Sequence, residues 1–236
     1  MRILVTRPED DAGALAEALS AMGHEAVAAP LLDIRILRDE KIPDTPYQAV
    51  LITSANGARA VGARLEIARL KHVPVLAVGE ASAAAARKAG FATVESAGGD
   101  ASALAELALK QLEPGAGPLL HVAGSVSAGD LKGELEKKGF SVDRVTLYEA
   151  VPADVLPDAA RDALKTGTVE GILFYSPRTA RIFADLLRAE GLDGAIAPLS
   201  AFCLSPAVAE ALQGLSFKSV RIAREPNQQA LLDLLA

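Results

Sequence analysis

The chain of 236 residues carries a formal charge of −6, is half apolar, is only 4% aromatic and has no tryptophan. An acidic balance with few rings for base stacking argues against a broad nucleic-acid surface, while backbone amides still hold a small anion whatever the net charge. The length suits two domains of about 100 to 150 residues. Met1-Arg-Ile-Leu-Val-Thr6 runs straight into a strand without a separate apolar leader, and no run spans a bilayer, so a soluble cytoplasmic protein is expected.

In chain order, Arg2 to Val5 reads as a strand, and Thr6-Arg-Pro-Glu-Asp10 turns into a helix with Leu15, Ala18 and Leu19 on one face. Gly23 closes that helix, Glu25 to Ala29 is the second strand, and Pro30 to Ile34 continues extended. The charged segment from Arg35 to Tyr47, with Pro43 and Pro46, reads as a loop or crossing between domains. Val50 to Thr53 is the next strand. Four apolar residues in a row suit a parallel strand covered on both faces, and Ser54 follows as the cap of a helix expected to run to Leu70. Then come strand Val75 to Val78, a helix opening at Gly79-Glu-Ala-Ser82 and stopping at Gly90, strand Phe91 to Glu95, and helix Ala103 to Leu112.

Pro114-Gly-Ala-Gly-Pro118 is a break, after which the pattern starts again. Leu119 to Val122 is a strand, Ala123 to Gly129 a small-residue turn, Asp130 to Lys138 a helix, and Phe140 to Leu147 a strand carried onward by Tyr148-Glu-Ala-Val151. Helix Asp158 to Lys165 precedes strand Ile172 to Tyr175 and a helix capped by Ser176. Ala201 to Leu204, a helix from Ser205 to Leu212, strand Ser219 to Ala223 and helix Gln228 to Leu235 close the set. Gly23 matches Gly139, Ser54 matches Ser176, and Gly79-Glu-Ala-Ser82 matches Ser205-Pro-Ala-Val208. The alternation gives an α/β fold of two doubly wound parallel sheets, flavodoxin-like, with a ligand cleft expected between the domains beyond the carboxyl ends of the strands.

A capped helix at the end of a parallel strand presents unpaired amides and the positive end of the peptide dipoles, a seat for carboxylate or phosphate. Each helix-start serine therefore has two readings, a cap serving only its helix or a group that also meets ligand. His24, His72 and His121 show no metal-ligand spacing, Asp10-Asp11 suits a charged first helical turn, and Gly98-Gly99 lacks a dinucleotide fingerprint. Cys203, the single cysteine, lies in the apolar run Ser200 to Leu204 and reads as a small buried hydrophobe.

Taken together, Leu4-Val-Thr-Arg-Pro8, Gly23 with Pro30-Leu31, Thr53-Ser-Ala-Asn56, Ala77-Val-Gly-Glu-Ala-Ser82, Leu147-Tyr-Glu149, Tyr175-Ser-Pro177 and the helix opening at Ser205 resemble the uroporphyrinogen-III synthase family, in that family's order across the whole chain. The resemblance implies residues 1–34 with 150–236 as one discontinuous α/β domain, residues 38–145 as an inserted one, and extended connectors near 30–37 and 145–151. It implies a lyase of tetrapyrrole, hence haem and porphyrin, biosynthesis, acting without metal or organic cofactor. The expected reaction closes hydroxymethylbilane into uroporphyrinogen III, inverting ring D and losing water. Tyr148 matches the family's tyrosine and is the expected catalytic group, assisting departure of the hydroxyl. The substrate's eight carboxylates are expected to meet Thr6 and Arg7, Ser54, Ala55 and Asn56, Ser82, Ser125, Ser176, Pro177 and Arg178, and Ser205. The small-molecule substrate is the only partner expected, with no nucleic acid, no membrane and a monomeric chain. Two rival readings are a non-catalytic two-domain protein that binds a small anion, and a flavodoxin-like or receiver-type signalling module, for which neither a phosphate loop nor an acidic pocket with a partnering lysine can be assembled.

Overall fold

A computed structural model describes residues 1–126 and 129–236. Two compact units divide the chain: Met1–Asp33 with Val151–Ala236, and Ile34–Ala150. The first unit begins with β1 (Arg2–Val5), α1 (Glu9–Ala21) and β2 (Glu25–Ala28), and the chain leaves it in β3 (Leu32–Ile36). The second holds β4 (Ala49–Ile52), α2 (Ala55–Gly62), α3 (Ile67–Leu70), β5 (Val75–Ala77), α4 (Glu80–Lys88), β6 (Val94–Ser96), α5 (Ala101–Gln111), β7 (Leu119–Gly124) and α6 (Leu131–Glu136), and the chain returns through β8 (Val142–Pro152). The first unit is completed by α7 (Asp158–Thr166), β9 (Gly171–Phe174), α8 (Pro177–Ala189), β10 (Ser200–Cys203), α9 (Pro206–Glu210), β11 (Ser219–Ile222) and α10 (Gln228–Leu232).

The first sheet runs β11-β10-β9-β1-β2, every neighbouring pair parallel. Numbered within its own unit this is the flavodoxin order 2-1-3-4-5. The second sheet runs β3-β8-β7-β4-β5-β6, parallel from β8 to β6. Its β4 to β8 follow the other doubly wound order, 3-2-1-4-5. In such sheets the loops diverge where the strand order reverses, which is between β1 and β9 in one unit and between β4 and β7 in the other.

The apolar runs become central strands because alternate side chains enter cores on opposite faces. In β4, Val50 and Ile52 join the core under α2, whereas Ala49 and Leu51 join the one under α5 and α6. In β9, Ile172 and Phe174 pack with α7 and α8, and Leu173 faces α1 and α10. The Phe174 ring meets Phe183 edge-on at 5.3 Å, a favoured aromatic geometry. Cys203 is fully buried and burial pushes its thiol up to about 12, so it acts as core filling.

Several boundaries depart from the sequence reading. The helix expected from Ser54 to Leu70 is two helices, α2 and α3. A Cβ on Gly62 would stand 2.7 Å from the Ala89 Cβ, so the end of α2 is pressed against the end of α4. Beyond it, Arg64 turns inward to donate to the carbonyls of Leu37 and Glu40, and Leu65 is left 93% exposed. Tertiary hydrogen bonds thus override helical propensity. The strand expected at Phe91 forms later, as β6, because Phe91 is used in the core after the left-handed Gly90. Ser205 opens a helix of only five residues, and α10 tightens to a 3₁₀ turn at Asp233–Leu235. β7 runs two residues past Val122, which brings Gly124 opposite Tyr148 across a bulge.

Candidate functional site

In the second unit the order reversal lies between β4 and β7, and four of the sequence-predicted residues gather at the end of β4 and across the strands beside it. Ser54 leaves β4 with extended backbone and its Oγ accepts from the Gly57 N–H at 3.1 Å, as an N-cap should. The amides of Ala55 and Asn56 are in the first turn, where no helix carbonyl reaches them. The Asn56 side chain is engaged by Arg59. Tyr148 comes from β8, spans β7, and places its hydroxyl 2.7 Å from Ser54 Oγ. Its ring lies directly on Gly124: a Cβ there would fall 2.6 Å from the ring's Cζ.

The backbone that carries the ring and the glycine beneath it is fixed at three points. Ser125 N–H donates to the Tyr148 carbonyl at 2.9 Å, and Arg144 donates to the Gly124 carbonyl at 2.8 Å. Gly57 sits so close to β7 that its Cβ would touch Val122 at 3.4 Å, bringing the start of α2 onto the strand that carries Gly124. On β7, His121 is 3% exposed and neither ring nitrogen has a partner among the described residues. Burial, with the Arg144 charge, pushes it down to about 4, so it is neutral at pH 7.

Some expected contacts are altered by this geometry. Ser125 has its amide committed to the strand ladder, leaving its hydroxyl as the group to meet a ligand. Ser127 and Ala128, in the same expected turn, lie outside the described residues. Ser82 is no cap: Gly79 holds that position, Ser82 is buried one turn in, and Glu80 already places a carboxylate at the helix start. An anion is disfavoured beside that carboxylate, even though Glu80 is paired with Arg87.

In the first unit the reversal lies between β1 and β9. Thr6 is buried, and its hydroxyl donates to the Leu173 carbonyl at 2.9 Å, tying those strands together. Arg7 lies over the Tyr175 ring at 4.6 Å and contacts Asp11 at 3.1 Å and Gln228 at 3.2 Å. Ser176 caps α8 through the Thr179 N–H at 3.1 Å, with its hydroxyl 2.8 Å from that of Thr179. Pro177 at the first helical position has no N–H to offer, and Arg178 follows it. Ser205 has cap backbone geometry, but its hydroxyl makes no cap bond. The Ser54 and Ser176 cap expectations therefore hold in full and that of Ser205 holds for the backbone alone.

The surroundings of two positions, Gly124 and Tyr175, are not legible in the sequence. Gly124 was read only as part of a small-residue turn, although a glycine ending an apolar strand is a signal of close approach. Tyr175 was read as the end of a strand. Its hydroxyl is buried without a partner among the described residues, and burial pushes it up to about 12 against the opposing charge of Arg7. Among the described residues no helix is long and apolar enough to cross a membrane.

A family model described as uroporphyrinogen-III synthase HemD matches residues 13–233. A curated protein of Chlorobaculum parvum (strain DSM 263 / NCIMB 8327), named uroporphyrinogen-III synthase, is 28% identical over 204 residues, 82% of this chain and 82% of that protein. The porphyrin biosynthesis protein HemD of Ruminiclostridium josui is 24% identical across 99% of this chain, which spans 48% of that longer protein. The crystal structure of uroporphyrinogen-III synthetase from Helicobacter pylori 26695 superposes with a TM-score of 0.68 at 18% identity, covering 100% of this chain and 98% of that one. A mutant uroporphyrinogen III synthase of the extremely thermophilic bacterium Thermus thermophilus gives 0.52 at 19% identity, covering 100% and 97%. At these identities the structural likeness bears on the fold.

Proposed function

The chain belongs to the uroporphyrinogen-III synthase family, and from that premise we propose that it closes hydroxymethylbilane into uroporphyrinogen III, inverting the terminal ring and releasing water, with Tyr148 as the acid. The observation that carries the residue assignment is the phenol of Tyr148, held at Ser54 beside an order reversal of the second sheet.

The phenol proton passes to the hydroxymethyl oxygen, the C–O bond breaks, and water leaves an azafulvene cation. That cation is attacked by the substituted carbon of the terminal ring, and the spiro intermediate fragments and recloses at the ring's free carbon. The hydrogen lost there as the ring regains aromaticity supplies the proton that restores the phenol. Acid assistance of this kind contributes about 10² to 10⁴ in rate. The larger task is to fold a flexible chain into one geometry, which positioning and fixed dipoles accomplish.

Carboxylate holding is assigned to the Ala55 and Asn56 amides and the Ser125 hydroxyl in the second unit, and to Arg7, Ser176 and Arg178 in the first. Thr6, Ser82, Pro177 and Ser205 are given no contact with substrate in this assignment, and the single chain is the working unit. The deciding experiment supplies purified protein with freshly made hydroxymethylbilane and resolves the oxidised product isomers. Isomer III above the spontaneous isomer I supports the proposal. Saturable binding with isomer I alone would establish the non-catalytic alternative.

A further inference from the structure

We infer that Gly124 and Ser54 are positioning residues for the Tyr148 phenol, Gly124 by leaving room for the ring and Ser54 by holding its oxygen. The inference rests on the reading of Tyr148 as the acid. Gly124 is not among the glycines with positive φ, so its backbone demands no glycine. What demands it is space, since a Cβ would lie 2.6 Å from Cζ, 2.8 Å from Cε2 and 2.9 Å from the hydroxyl of Tyr148. Those separations are below any van der Waals contact, so something must move. The backbone is tied on both sides, by Arg144 on the Gly124 carbonyl and by the Ser125 N–H on the Tyr148 carbonyl. The ring is therefore what yields, by about an ångström.

Ser54 fixes the other end. One lone pair of its oxygen is used by the Gly57 N–H, leaving one proton and one further lone pair for Tyr148 at 2.7 Å. The contact works in either direction. Before reaction the phenol donates to Ser54 or accepts from it. Once the phenol has given its proton to the departing hydroxyl, only the arrangement with Ser54 O–H donating to the phenolate oxygen remains, and it stabilises the charge that has developed. Because Ser54 is itself anchored by its helix, no side-chain freedom has to be lost at that moment. A bare strand residue under the ring and an anchored hydroxyl at its tip together set the phenol in one place.

The test uses the whole protein, with kcat and KM for isomer III and the thermal unfolding midpoint measured for each variant. Gly124→Ala is expected to lower kcat by about 10²-fold, the scale of a 1 Å misplacement, with little change in KM. Combined with Tyr148→Phe it lowers kcat no further than Tyr148→Phe alone, since there is no phenol left to misplace. Ser54→Gly, which keeps most of the capping preference, lowers kcat while the midpoint holds, and Ser54→Thr restores the rate. A slow Tyr148→Phe beside an unimpaired Gly124→Ala, or losses that multiply in the double variant, overturns the inference and leaves the acid assignment standing. Full turnover by Tyr148→Phe overturns both. Should Gly124→Ala fail to fold, the Ser54 pair decides: an active Ser54→Gly overturns the inference, and a loss restored by threonine supports it.

Discussion

The two units bring different chemistry to the same kind of place. Where the second sheet reverses order, a phenol is pinned between a cap serine and a glycine. Where the first sheet reverses order, an arginine is laid on a tyrosine ring and steadied by Asp11 and Gln228. In the proposed reading one unit supplies a proton from a held phenol, the other a held positive charge. The difference teaches that matched strand–turn–helix segments in one chain do not imply matched surroundings: Ser54 and Ser176 cap their helices alike, yet of the two Ser54 also hydrogen-bonds a side chain from another strand. Ser176 keeps its hydroxyl within its own helix, on Thr179.

This division is open to attack at several points. The largest effect is expected for Tyr148→Phe, which lowers kcat for isomer III by about 10² to 10⁴ without loss of the folded state, as followed by circular dichroism. Unchanged turnover would remove the phenol from the reaction and with it the contrast between the units.

Next in size is a pH effect confined to the second unit. His121 has a folded pKa near 4 against 6.5 in the unfolded chain, so the unfolded chain takes up a proton first as pH falls. The stability it permits is whole above pH 6.5 and is lost on descending from there, by about 3 kcal/mol at pH 4. Urea unfolding of the protein and of His121→Leu at pH 7 and pH 4 isolates this contribution from that of the carboxylates. The variant should lose less on acidification and, freed of an imidazole N–H without a partner among the described residues, should be no less stable at pH 7. Equal acid loss in both proteins would show that His121 is solvated.

Arg7→Met is expected to act differently from Tyr148→Phe, raising KM by about 10-fold with kcat nearly unchanged, the signature of binding lost equally in ground and transition states. A fall in kcat of the same size as that of Tyr148→Phe would erase the proposed division between proton and charge. The smallest effect separates the caps inside the first unit: Ser176→Ala should cost about 1 kcal/mol, whereas Ser205→Ala, whose hydroxyl makes no cap bond, should stay within about 0.5 kcal/mol of the parent. Thermal denaturation of the two variants reads this directly.

Read alone, the amino-acid order determined whatever depends on near neighbours: the parallel strands at 50–52 and 172–174, one residue off at each end, both cap serines, the glycine at 23, the buried cysteine and the doubly wound class. Those follow from apolar runs, from side-chain oxygens three residues ahead of an amide, and from the absence of a Cβ, all of which act over a few residues. Tertiary structure alone decided that the segment after Gly62 turns away because Arg64 is claimed by the carbonyls of Leu37 and Glu40. It also set a different strand order in the two sheets, the commitment of the Ser125 amide to Tyr148, and the room that Gly124 leaves for a ring from the neighbouring strand. The physical reason is that hydrogen-bond partners and excluded volume depend on which strands become neighbours, and residues far apart in the chain meet only once the sheet has closed.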